Sequence, residues 1–129
     1  MVSLRAFFNF MAIIFSREWE MPNSNTFEIK CIRRLIDKYH REWITSVDPF
    51  ARNSKLATMT NDLNPEMDTN YHLDAVDFLK IWSNETVELV FYDPPYSLRQ
   101  VSECYKSVGI PVTTETTQSS FRRKHIDEI

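Results

Sequence analysis

Apolar side chains at Ile32, Leu35, Ile36 and Tyr39 follow i, i+3, i+4, i+7 spacing, and Asn25 with Glu28 three residues later stands ahead of them as a capping-box signature. This pattern predicts a helix over 26–42, with Arg33, Arg34, Asp37 and Lys38 on its wet side. Two short apolar or β-branched runs follow at 43–47 and 56–60, each closed by polar or acidic residues (Asp48; Asn61 and Asp62), and both read as strands. A third, brief strand is expected at 71–73, before Ala75, Val76, Phe78, Leu79 and Trp82 return to helical spacing.

The run 87–92 (VELVFY) is the most strand-like in the chain, nearly continuous in apolar and aromatic residues as for a strand covered on both faces, and it stops at Pro94 and Pro95. Leu98, Val101, Cys104 or Tyr105, and Val108 predict a helix ending at Gly109, the chain's single glycine. A threonine-rich polar stretch leads to a last helix at 121–129, in which the sequence stops. The element order implies an α/β domain, about four mostly parallel strands with flanking helices, of the doubly wound class. Acidic residues 48, 62, 74 and 93 all fall just after predicted strands, where ligands of such sheets bind.

A chain of 129 residues has room for one domain, and 43% hydrophobic with 26% charged residues is a globular composition. The net charge of −3 excludes non-specific nucleic-acid binding as a whole-molecule property, so any DNA contact has to be local. Cys31 and Cys104 have no second Cys or His at ligand spacing; they read as reduced and buried, a cytoplasmic pattern with no metal site. Residues 4–15 are strongly apolar but too short to span a bilayer, and no small-residue cleavage site follows. Residues 1–17 therefore read as an apolar leader, buried or non-native, and 18–129 as the domain.

The most specific chemical signal is Asp93-Pro94-Pro95-Tyr96 at the end of the apolar strand. The lone pair of an exocyclic amino group is delocalised into its ring; acceptors that hold both amino hydrogens localise it toward a methyl donor. A carboxylate at 93 and the Pro94 carbonyl supply two acceptors, the prolines fix φ and stiffen the loop, and Tyr96 offers a face on which an extruded base can stack. The plain alternative is a strand-ending turn, a common use of proline.

In these residues the chain resembles the adenine-specific DNA methyltransferases of the class I, Rossmann-like type, particularly those of phages and mobile elements. The likeness covers about residues 18–128 and rests on four segments in the family's order: REWEMPNSNTFEIK, SVDPFARNSKLATMTNDLNP, HLDAVDFL and FYDPPYSLRQVSECYKSVG. It implies S-adenosyl-L-methionine as cofactor and DNA as substrate. Pro22 and Phe27 fall in the motif that closes over the methionine part of the cofactor. Asp48, Pro49, Phe50 and Ala51 match the start of the principal cofactor loop, and Asp62 matches the residue that takes the ribose hydroxyls. Asp74 matches the acceptor of the cofactor's adenine amino group, with Ala75 and Phe78 beside the ring. Asp93, Pro94, Pro95 and Tyr96 are the catalytic set. For Asp62 and Asp74 the competing reading is a solvated strand end.

Ala51-Arg52-Asn53-Ser54 stand where the family carries glycines that let backbone approach the ligand. Only about seven residues separate Asp48 from the next predicted strand, which implies a single helical turn there rather than a crossover helix of ~10 or more residues. A complete domain of this type carries about seven strands, so the ending inside a helix implies a truncated product or one piece of a split protein. A non-catalytic cofactor- or DNA-binding or decoy domain is the competing function. Similar Pro-Pro-aromatic loops serve methylation of cytosine, RNA and glutamine; the acidic first residue favours adenine.

Overall fold

The computed structural model describes residues 15, 17–83, 85–113 and 119–129. The expected leader falls almost wholly outside them, as does most of the threonine-rich stretch. The chain divides into two compact units, Met1–Ile36 and Asp37–Ile129.

In the first unit the expected capping box does not form. Asn25 makes no side-chain cap; its backbone N–H instead donates to Asn23 Oδ1 at 2.7 Å. The start of the predicted helix is a 3-10 turn over Thr26–Glu28, and α1 runs over Lys30–Tyr39, shorter than 26–42. Of its apolar stripe, Ile32 and Ile36 are half-buried while Leu35 and Tyr39 are exposed. Cys31 N–H donates to Glu20 Oε2 at 3.1 Å.

The second unit is built on a three-stranded parallel sheet among the described residues: β1 Ser46–Asp48, β2 Met59–Thr60 and β3 Leu89–Val90, in the order β2-β1-β3. Helices α2 (Ala75–Leu79), α3 (Leu98–Ser107) and α4 (Ser119–Glu128) flank it. This is compatible with an α/β fold. The strands are shorter than the apolar runs that predicted them; Trp43, at the head of the first run, is exposed.

The brief strand expected at 71–73 shrinks to one parallel bridge, Asn61 to Tyr71. The reason is local: side chains take over the pairing. Asn70 Oδ1 accepts from Thr60 N–H at 2.9 Å, and Asn61 Oδ1 accepts from Leu73 N–H at 2.9 Å. In the run 87–92 Phe91 is buried while Leu89 and Val90 are half-buried, so its cover is partial, and among the described residues β3 pairs only with β1, which leaves its far edge unpaired.

The core comprises Val47 of β1 with Phe78 and Leu79 of α2, packed against Met59, Tyr71, Trp82, Val87 and Val90. Phe78 meets Tyr71 and Trp82 with ring centroids 5.5 and 6.0 Å apart, an aromatic stack that joins α2 to the sheet. Of the four positions proposed for α3, the fold buries Val101 and Tyr105 at i, i+4 spacing and leaves Leu98 exposed. Both cysteines are free, but Cys104 is exposed and Cys31 half-buried, because the buried face of α3 passes through Tyr105 instead. Among the described residues no helix is long and apolar enough to cross a membrane.

Candidate functional site

Central β1 ends in Asp48, and its two neighbours leave it on opposite sides, β2 after one connection and β3 after another. In parallel sheets whose strand order reverses in this way, ligands bind beyond the carboxyl ends of the strands. Asp48 and, three residues past β3, Asp93 stand at that end.

Asp48 is 1% exposed. Its Oδ1 accepts from Phe50 N–H at 3.0 Å, an Asx turn that bends the chain out of β1, while buried Oδ2 has no hydrogen-bond partner among the described residues. Burial pushes this carboxyl up to about 7; the Phe50 N–H works against the shift, and the nearby Asp93 and Asp62 carboxylates add to it. A buried carboxyl with one orphaned oxygen is a group built to receive a proton or a cationic partner.

The loop after β1 contains no helical turn of the kind expected. It is a pair of tight turns in which Asn61 N–H donates to Asp48 O (2.8 Å), Ala51 N–H to Asn61 O (2.9 Å) and Ser54 N–H to Ala51 O (2.8 Å). Arg52 takes φ +54°, a left-handed conformation that glycine would adopt without strain. Asp62 Oδ2 accepts from Arg52 N–H at 3.0 Å and holds it there, and Asp62 Oδ1 accepts from Asn64 N–H. Pro49 and Ala51 are buried and Phe50 is half-buried.

Asp74 caps the N-terminus of α2. Its Oδ1 accepts from Val76 N–H at 3.0 Å, and its Oδ2 accepts from the Tyr105 hydroxyl of α3 at 3.0 Å. Burial, and then this carboxylate, raise the Tyr105 pKa strongly and keep the phenol protonated. Ala75 and Phe78 are buried on α2. Both Asp62 and Asp74 are thus tied to the chain's own donors rather than merely solvated.

In the tetrad, Pro94 is buried, Asp93 and Pro95 are half-buried, and Tyr96 is 59% exposed. Burial and the adjacent Asp93 carboxylate push the Tyr96 hydroxyl above its ordinary value. Gln100 Oε1 accepts from the N–H groups of Tyr96 and Ser97, each at 3.0 Å, and Gln100 N–H donates to Ser97 Oγ at 3.1 Å. This capping box starts α3 and fixes Tyr96 from behind. Pro22 and Phe27 lie in the first unit, the one exposed and the other half-buried beside the 3-10 turn.

The chain matches no family model, no characterised protein and no solved structure. The site has to be read from its own residues.

Three of those residues were missed by sequence pattern. Gln100 had a visible signal, Ser-x-x-Gln directly before an amphipathic run. Asn61 is fully buried and links three segments, its Nδ2 donating to Pro49 O (3.1 Å) and Leu73 O (3.0 Å); nothing local distinguishes it from a loop asparagine. His125 of α4 is 3% exposed, with Nδ1 3.2 Å from the Tyr92 hydroxyl and its ring 5.3 Å from that of Phe50. Among the described residues no cluster of three His, Cys, Asp or Glu is arranged to hold a metal ion.

Proposed function

We propose that the chain is an S-adenosylmethionine-dependent amino-methyltransferase domain acting on adenine N6 in DNA, of partial Rossmann-like, doubly wound form. The observation that carries this reading is the juxtaposition at the strand ends: Asp93-Pro94-Pro95-Tyr96 leaves β3 beside the buried Asp48 of central β1, close enough for the two carboxylates to feel each other. The cofactor supplies an electrophilic methyl on a sulfonium. In this reading Asp48 is the group that answers the sulfonium: its orphaned Oδ2 would gain a partner and its ionised form would be stabilised by a positive charge. Asp62 and Asp74 each use one lone pair per oxygen on the chain, which leaves acceptor capacity for a ribose hydroxyl and an adenine amino group.

Toward the substrate, the Asp93 carboxylate and Pro94 carbonyl accept the two amino hydrogens of a flipped base, and exposed Tyr96 stacks on its ring. The Gln100 bonds hold Tyr96 in place before the base arrives, so less ordering cost falls on the complex. A second reading, a non-catalytic cofactor- or DNA-binding domain, is favoured by Arg52 at φ +54°, where a side chain stands in place of glycine and keeps a bound methyl donor from close approach to the backbone.

The test is paired. Calorimetric titration with S-adenosylmethionine is expected to show binding, and tritiated methyl transfer to unmethylated DNA is expected to vanish in Asp93→Ala while cofactor binding survives. Binding without transfer in the native chain selects the second reading; no heat at millimolar cofactor removes both cofactor-based readings.

A further inference from the structure

Helix α4 stands on the same end of the sheet as the proposed site. Its His125 ring packs edge-on against Phe50 in the loop after β1, at 5.3 Å, and against Tyr92 just past β3, at 6.2 Å, while Nδ1 meets the Tyr92 hydroxyl at 3.2 Å. Phe50 and Tyr92 also touch each other, with ring centroids 5.9 Å apart, so the imidazole completes a three-ring plug. The helix packs against α2, whose first turn is capped by Asp74, and the Asp74 carboxylate acts on His125. One turn earlier, the Arg122 guanidinium acts on both Tyr92 and Tyr96. Four groups at or next to those assigned to cofactor and base are therefore covered or approached by one helix.

Among the described side chains of that helix, Arg122 to Glu128, His125 is buried, Arg122 is half-buried and Ile126 is exposed. A helix whose described side chains are mostly exposed opens at lower cost than the core. We propose that α4 is an autoinhibitory latch over the strand ends, held by neutral His125 and released when the imidazole is protonated or when ligand occupies the site. The ligand half of this statement rests on the proposed function; the latch itself does not.

The charges around the imidazole define the switch. Tyr92 is uncharged, since burial, followed by Tyr96, raises its pKa, and its hydroxyl shares one hydrogen bond with His125 Nδ1 whose donor is set by the imidazole tautomer. Phe50 carries no charge. Asp74 of α2 favours the imidazolium, but its carboxylate is already bonded to Tyr105 of α3 and to Val76 N–H. On α4 itself the neighbouring cations in sequence are Arg122 and Lys124, and Asp127 is paired with Arg123 at 2.9 Å. Burial dominates and lowers the His125 pKa below its ordinary 6.5. A histidine depressed in the docked state stabilises docking fully above 6.5, and this contribution is lost as pH falls below that value.

Amide exchange of the full chain tests the latch without any ligand. Protection of α4, corrected for intrinsic exchange, is expected to fall by up to about tenfold from pH 7.5 to pH 5.5, while β1 and β2 stay protected. His125→Asp should open α4 at both pH values, and His125→Phe, which keeps the ring and cannot be protonated, should abolish the pH effect. Unchanged α4 protection in native chain and His125→Asp alike overturns the latch. At pH 7.5, where Asp48 titration is common to both proteins, His125→Asp is expected to bind S-adenosylmethionine several-fold more tightly than the native chain. Equal or weaker binding overturns the inhibitory role, whereas an open α4 with no binding in either protein leaves the latch standing and sinks the cofactor reading instead.

Discussion

Asp48 shows how one residue sets a pH dependence. Its carboxyl is buried, shares one oxygen with Phe50 N–H, and titrates near 7 against 3.8 when free. The folded chain therefore binds a proton more readily than the unfolded chain across that interval. The stability linked to this proton is present below about pH 4 and is lost as pH rises through about 7. Asp48→Asn keeps the Oδ1 acceptor and removes the charge; urea melts should find it more stable than the native chain at pH 8, by up to about 4 kcal/mol, with the difference closing toward pH 4. An equal cost at both pH values would mean that Asp48 is already ionised and partnered. The acidic residue was visible in the sequence at a strand end; its burial was not, because burial comes from the loop folding back through Asn61 and the packing of Phe50.

At the scale of elements, α3 is the best-determined helix and carries its own start and stop signals. The Ser97 and Gln100 capping box opens it, and a Schellman turn closes it: Gly109 N–H donates to Lys106 O at 3.1 Å and Ile110 N–H to Tyr105 O at 2.9 Å, with Gly109 at φ +73°. Gln100→Ala is expected to cost about 1 kcal/mol in chemical denaturation. The base stacking proposed for Tyr96 should weaken with it, because two N–H groups of the 96–97 turn lose their acceptor. No loss of stability would mean that water replaces the side chain at no cost. Helix α1 is the contrary case. Its Ile32, Leu35, Ile36 and Tyr39 spacing is as regular as any in the chain, yet Leu35 and Tyr39 are exposed. Periodicity records which face is apolar and not whether a partner covers it.

For the whole molecule, the second unit hangs on a small core in which Phe78 is fully buried between Tyr71 and Trp82 and against Val47. Phe78→Ala is expected to cost about 3–5 kcal/mol, a large share of the stability of a domain this size, and circular dichroism melts should show most of the cooperative transition lost. A shift of only a degree or two would place the core elsewhere. Local pattern alone determined the helices of α2 and α3, the strand end at Asp48, and the stiff proline turn after β3, since each follows from side-chain spacing or from a backbone restricted by proline and glycine. Tertiary structure decided the order β2-β1-β3, the shrinking of residues 71–73 to a single bridge, the engagement of Asp62 and Asp74 by backbone and Tyr105, and the seating of His125 on Phe50 and Tyr92. The contacts of Asp62 with Arg52, Asp74 with Tyr105 and His125 with Phe50 join residues ten to seventy-five positions apart, and their pairing depends on how buried surface and hydrogen-bond capacity are shared across the fold, which no window of neighbouring residues contains.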